Sequence, residues 1–479
     1  MVENTKNSIV IDFIKNKQTL GSAWSVFGFV SVLFLSAVAF YLHIELYVLG
    51  AVIGLLYSYL IITSPKFWLY SIAVSSGIFF HSSSEGVSVL DLLLGALYLG
   101  SLTIWFIWQI FFLRKKVVRN LGDWLVLSFF FFLIFNFLIA YLNNSDLNIW
   151  MKEYLMFSIV LIYFPLRSII KTEKELLKFL GFYSLIIIAA GIFQIFLYYN
   201  RLTEDFVYAY EMKSGININQ TLYTSASIFG FLFTFHQTNK KNELLVLAFT
   251  AMAIISLIAT FSRTFWVVLA LAIVIFFIIF PIRKKNKMLI YIFCIVGLFA
   301  VIGYLFIPDK MYLLINVIGI RFSSSADGTK DLSVVARLME WEQVIKKIFE
   351  NPLGGNGLAK TFHFYNVIET RTSFTDIIHN GFLYITYRAG IPTALLYFSF
   401  IIFYTIKAWD NLVRSTSNYL KALSLSNFAV MIALYIVNFT SPQFFYRDGI
   451  FVTAFVVAFI SINEDLLKIK HKNLDTNHG

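Results

Sequence analysis

Apolar runs close to 20 residues long recur from residue 23 to residue 463, and they decide the fold class. Wound as a helix at about 1.5 Å per residue, such a run spans the ~30 Å hydrocarbon core of a bilayer. Fourteen can be read: 23–41, 44–62, 67–81, 87–112, 121–142, 150–166, 179–199, 219–235, 244–260, 264–281, 288–306, 378–405, 421–440 and 449–463. Only 14% of the residues are charged, against about 25% in soluble domains, so no separate soluble domain is expected at either end. The expectation is an all-α polytopic membrane protein, one integral membrane domain over residues 1–479 with about 14 transmembrane helices.

Basic residues set the orientation. With the N-terminus in the cytoplasm, 24 of the 38 Lys and Arg fall in cytoplasmic segments, 5 in short outer loops and 8 in the long polar loop 307–378. The positive-inside rule then puts both termini in the cytoplasm and the long loop outside. The same clustering makes the net charge of +11 a membrane feature and not a nucleic-acid footprint. The first 22 residues are polar, and no small-residue cleavage site follows the first apolar run, so that run reads as a retained anchor. The single cysteine, Cys294, lies in an apolar run and has no second cysteine to pair with.

A long outer loop is seldom needed by a channel or transporter and suits an enzyme working at a membrane face. Within it, apolar residues at 334, 338, 341, 345 and 348 repeat at helical spacing. Ser333 fits the N-cap and Asn351-Pro352 the stop, so an amphipathic helix is expected there, lying on the bundle or on the membrane surface. Arg337 borders the apolar stripe. Its i, i+3 spacing to Glu340 suits a solvated ion pair; at the inner edge of the face it would instead reach an anionic ligand, because guanidinium donates in a fixed fork and stays charged. Leu353-Gly354-Gly355-Asn356-Gly357 reads as a turn after the helix, with glycines permitting positive φ.

His379 opens the next span, and Asp376, three residues earlier, is placed to orient its ring. Histidine can take a proton from a hydroxyl near neutral pH; the plainer role is a hydrogen-bonded interfacial histidine. Arg263, in Phe261-Ser262-Arg263-Thr264, sits on a turn too tight to leave the outer surface. It is either a headgroup snorkel or a binding residue at a costly depth. Arg388 falls nine residues after His379, about 13 Å deeper within one continuous helix, where it needs a partner or a wet cavity. Asp91 lies in an apolar run, Arg447-Asp448 looks like a local pair, and Arg321, Arg371 and His363 are loop residues able to contact a sugar or phosphate. No His/Asp cluster at ligand spacing is evident on the outer side, so no metal and no other cofactor is expected.

Taken in order, these pieces resemble one family. They are Ser262-Arg263 at a tight outer turn, Arg337-x-x-x-Trp341, Asn351-Pro352-Leu353-Gly354-Gly355-Asn356-Gly357, His379-Asn380 opening a span, and Gly390-Ile391-Pro392. Over residues 244–406 the chain resembles the O-antigen ligase and polymerase family. The resemblance implies a GT-C-like integral membrane glycosyltransferase. It puts a donor diphosphate on Arg263 and Arg337 and makes His379 the base for the acceptor hydroxyl, with Asp376, Trp341, Arg321, Arg371 and Arg388 as accessory positions. Arg388 has no counterpart in the family pattern. Metal-independent, inverting transfer outside the bacterial cytoplasmic membrane follows from the same likeness. The implied partners are an undecaprenyl-diphosphate-linked oligosaccharide donor, a glycan acceptor, the lipid bilayer and a chain-length regulator, with no nucleic acid. A polymerase joining lipid-linked units is the leading expectation, and a ligase moving finished glycan to a lipid or wall polymer the near alternative. A polysaccharide flippase also has about 14 spans, but would line a central cavity with cations and need no outer loop with a base.

Overall fold

The computed structural model describes residues 45–78, 89–202, 219–237, 239–260, 262–306, 315, 319, 332–366, 371–375, 378–415 and 417–476. The chain divides into two compact units, Met1–Ser64 and Pro65–Gly479. In the first, the described residues form a helix, α1 (Glu45–Thr63).

The second unit is a helical bundle. Before the loop run α2 (Pro65–Ile78), α3 (Val89–Ile107, extended by a π-turn over Trp108–Phe112), α4 (Leu121–Leu142) and α5 (Leu147–Ser158). A 3-10 turn (Ile159–Ile162) carries α5 into α6 (Tyr163–Ile169), followed by α7 (Glu173–Leu202), α8 (Gln220–Thr234), α9 (Lys240–Ile258), α10 (Arg263–Ile279) and α11 (Ile282–Phe306). The loop contributes α12 (Leu332–Glu350) and an antiparallel hairpin of β1 (Phe362–Asn366) and β2 (Arg371–Thr375), with Phe362 opposite Thr375. After it come α13 (Gly381–Ala389), α14 (Ile391–Arg414), α15 (Asn418–Asn438), a 3-10 turn (Gln443–Phe445) and α16 (Arg447–Thr476).

Among the described residues, eight helices are long and apolar enough to cross a bilayer: Leu121–Leu142, Leu147–Ile169, Glu173–Phe196, Lys240–Ile258, Ile282–Leu305, Ile391–Arg414, Asn418–Asn438 and Arg447–Lys470. Gly54–Thr63, Leu97–Phe112 and Arg263–Ile279 are apolar but shorter. Of the 14 expected spans, 23–41 lies outside the described residues. The expected span 219–235 is α8, only 15 residues long. It is buried on nearly every face and packs on α9, α15 and α16, so its continuous apolarity serves protein contacts more than lipid. The expected span 449–463 belongs to a longer helix, because its polar continuation is satisfied by neighbours. Asn463 Nδ2 donates to Ser424 Oγ at 2.6 Å and Lys407 Nζ to Glu464 Oε2 at 2.6 Å.

The expected span 378–405 requires correction. It is two helices, α13 and α14, separated at Gly390. Gly390 has φ +84°, and a Cβ there would stand 2.2 Å from the Leu353 carbonyl oxygen. Pro392 sits in the first turn of α14, where its missing N–H is harmless. The Ile391 N–H, freed by the break, donates to Pro352 O at 2.8 Å. Arg388 is therefore in the last turn of a short helix, not nine residues down a span.

Polar contacts collect at opposite ends of the same helices. At one end Asp123, at the start of α4, accepts from Arg167 (2.7 Å), Tyr163 (2.8 Å) and Tyr404 (3.0 Å), and its ion pair with Arg167 is fully buried. Arg119–Asp465 (3.1 Å) and Lys407–Glu464 lie at that end too. At the other end of α4, α5 and α15, Asn136, Asn143 and Glu153 meet the loop and the break at Gly390, and Asn438 meets Gly381 at the start of α13. Segments expected in the cytoplasm thus join one another, and segments expected outside join one another.

Candidate active site at the loop end of the bundle

The turn after α12 seats the loop. Asn136, from the last third of α4, donates to the carbonyls of Gly354 (3.1 Å) and Arg388 (3.0 Å) and accepts from the Leu358 N–H (2.8 Å). Asn356 and Gly357 donate their N–H groups to Tyr387 O and Arg388 O, both at 2.9 Å. Gly355, at φ +70°, lets this turn press against the Arg388 carbonyl and the Gly390 nitrogen. The Gly-Gly-Asn-Gly stretch is thus a buckle between α4 and the α13–α14 break.

The buckle fixes where α12 lies, and α12 meets residue 379 at three points. The Glu340 carboxylate accepts from the His379 backbone N–H (3.1 Å) and bonds the ring nitrogen Nδ1 (3.0 Å). Trp341 Nε1 donates to the His379 carbonyl at 3.2 Å. Glu340 is buried, with 2% of its side chain exposed, whereas the His379 side chain is 47% exposed. His379 is therefore held from the protein side with an open face. Asn380 caps α13 through the N–H groups of Phe382 and Leu383.

Arg263 begins α10 and is half-buried. Its neighbour Thr264 accepts from Thr440 at 3.3 Å. Two residues before Thr440, Asn438 packs so closely on Gly381 that a Cβ there would stand 2.0 Å from its Oδ1. Arg263 and His379 thus flank one short turn after α15. Arg337 is also half-buried, one turn before Glu340 on α12. The structure therefore gathers Arg263, Arg337, Trp341 and His379 at one end. Burial pushes the Tyr446 phenol above its usual range, which keeps a neutral donor within electrostatic reach of Glu340.

Arg388 has other partners. Its guanidinium pairs with Glu153 of α5 and covers the Tyr384 ring at 4.6 Å, and the other Glu153 oxygen accepts from the Ala359 N–H at 3.2 Å. Arg321 and Asp376 lie outside the described residues, as does the side chain of Arg371. The residue the structure shows at His379 Nδ1 is Glu340. Glu340 was expected, if anything, to pair with Arg337 on its own helix; a 39-residue separation in sequence left no local signal of its contact with His379. Among the described residues, no group of three or more His, Cys, Asp and Glu side chains is arranged to hold a metal ion.

Residues 246–398 match the family model described as O-Antigen ligase. That stretch contains Arg263, Arg337, Glu340 and His379, and over it the chain is similar to the O-antigen ligase family. With the eight long apolar helices, it supports a multi-pass membrane enzyme of that general type. No curated protein matches the chain.

Proposed function

We propose that this protein is a membrane glycosyltransferase that joins polyprenyl-diphosphate-linked oligosaccharide units on the outer face of the bacterial cytoplasmic membrane. The observation that carries the reading is a half-exposed histidine, anchored by a buried carboxylate, at the same end of the bundle as two arginines of the O-antigen ligase-like segment. Arg263 and Arg337 would hold the donor diphosphate. As the glycosidic bond breaks, charge grows on that leaving group, and non-titrating cations placed in advance stabilise it. His379 would take the acceptor hydroxyl proton, so that direct displacement inverts the anomeric carbon.

An apolar groove supports a lipid-linked donor. A cavity of about 570 Å³ lies between α7, α8, α9 and α16, lined by residues such as Ser184, Leu222, Phe229, Phe249 and Phe459. It does not include His379, yet it begins at Leu222, next to Thr221, whose N–H and hydroxyl donate to Asp448 and Gln443 beside the site-end turn. A polyprenyl tail would suit such a groove.

The family description favours a second reading, a ligase that transfers finished glycan to a lipid or wall polymer. Incubating the purified protein with lipid-linked repeat units separates the readings. A polymerase yields a ladder, a ligase yields product only with a distinct acceptor, and a transporter yields neither. His379→Ala should abolish product while donor still binds. Arg263→Ala and Arg337→Ala should each weaken donor binding about tenfold or more, the scale of a lost charge-assisted contact. Unchanged donor affinity in both arginine variants would remove them from the diphosphate site.

A further inference from the structure

Residue 379 is held at its N–H, its carbonyl and its Nδ1 by a single turn of α12. The remaining polar atom of the residue is Nε2. A carboxylate is an acceptor only, so against Glu340 the neutral ring carries its proton on Nδ1 and its lone pair on Nε2. Glu340 is buried, and burying a carboxylate costs several kcal/mol before its partners compensate. A glutamine would satisfy the His379 backbone N–H equally well at less cost. What a carboxylate adds is a negative charge against the ring, which matters when the ring gains a proton.

We propose that Glu340 is the positioning residue of this site, holding His379 in the tautomer and orientation of a general base at Nε2 and stabilising the imidazolium formed during transfer. In the step, Nε2 takes the acceptor hydroxyl proton as the acceptor oxygen bonds the anomeric carbon. The glycosidic bond breaks, the diphosphate leaves with its electron pair, and the ring later returns the proton to solvent. The identity of the hydroxyl rests on the glycosyl-transfer reading; the tautomer rests on geometry alone.

Two measurements test it. In turnover of lipid-linked oligosaccharide, Glu340→Gln should lower kcat about 100-fold while leaving donor KM within about twofold, and Glu340→Asp should restore part of the loss. Nδ1-methylhistidine at position 379 keeps the lone pair on Nε2 but removes the Nδ1 donor; it should also lower kcat through lost orientation and imidazolium stabilisation, and combining it with Glu340→Gln should cost no more than Glu340→Gln alone, because both break one contact. Additive losses, or a change confined to KM, overturn the proposal. The second readout needs no turnover. Acylation of His379 by diethyl pyrocarbonate, followed by mass spectrometry at pH 8, reports the nucleophilicity of Nε2. Glu340→Gln should slow it about threefold or more without changing the other histidines. Equal rates overturn the proposal. Slowed acylation in a protein that makes no glycosidic product would leave the pair standing and sink the glycosyl-transfer reading.

Discussion

At the scale of single residues, charge type did not decide role; the partner did. Arg388 and Arg337 carry the same charge, yet Arg388 is buried to 1% exposure against Glu153 and Tyr384. Replacing the arginine with an apolar residue removes one partner, and the uncompensated charge left behind sits on a partly exposed glutamate. Arg388→Met should therefore lower unfolding free energy by about 2–3 kcal/mol, less than the 3–5 of a fully buried pair, while donor affinity of the folded fraction stays unchanged. Thermal unfolding in nanodiscs beside a donor-binding titration checks this, and a selective loss of affinity would return Arg388 to the binding set. His379 was legible as a candidate because few histidines stand where a loop meets a span. Its partner was not, since Glu340 is 39 positions away and only the folded chain brings it near.

At the scale of elements, the legible parts were those with a local period. The stripe from 334 to 348 and the Asn351-Pro352 stop predict α12, and the structure has it over Leu332–Glu350. Long apolar runs likewise gave α4 and α15 to within a few residues. The break at Gly390 was illegible because a single glycine inside an apolar run carries no periodic signal, and proline is tolerated in the first turn of a new helix. The hairpin 362–375 was hidden for a similar reason: five-residue strands pinned by the neighbouring α12 and α13 through Gln343 and Tyr387 need tertiary contacts. Gly390→Ala tests how much the break matters. The residue would hold an unfavourable positive φ, and its Cβ would meet the Leu353 carbonyl. We expect a stability loss of about 2–4 kcal/mol, strain plus clash, with turnover falling further as His379 shifts. A normal melting temperature would show that the turn relaxes without cost.

At the scale of the whole molecule, the bundle within Pro65–Gly479 carries polar contacts at two ends, and their order predicts orientation. Cys294 is the single cysteine, so Cys294→Ser gives a silent background for site-directed labelling. Tyr365→Cys at the hairpin should react with a membrane-impermeant maleimide on intact cells, and Lys468→Cys should react only after permeabilisation. The reverse pattern would place the candidate site on the cytoplasmic side. The basic end is tied by a buried node, Asp123 with Arg167, Tyr163 and Tyr404, which joins α4, α6 and α14. Between the two ends stands α16, packed against α6, α8, α14 and α15 and buried along most of its membrane-crossing length, more than any other of the eight long helices. It also follows every other described helix along the chain. During synthesis those helices would enter the bilayer before this shared neighbour exists, with Asn411 and Ser424 lacking their α16 partners until it arrives. A nascent chain held before residue 447 would lack the helix that α6, α8, α14 and α15 share, so closure of the bundle would wait for that last described segment.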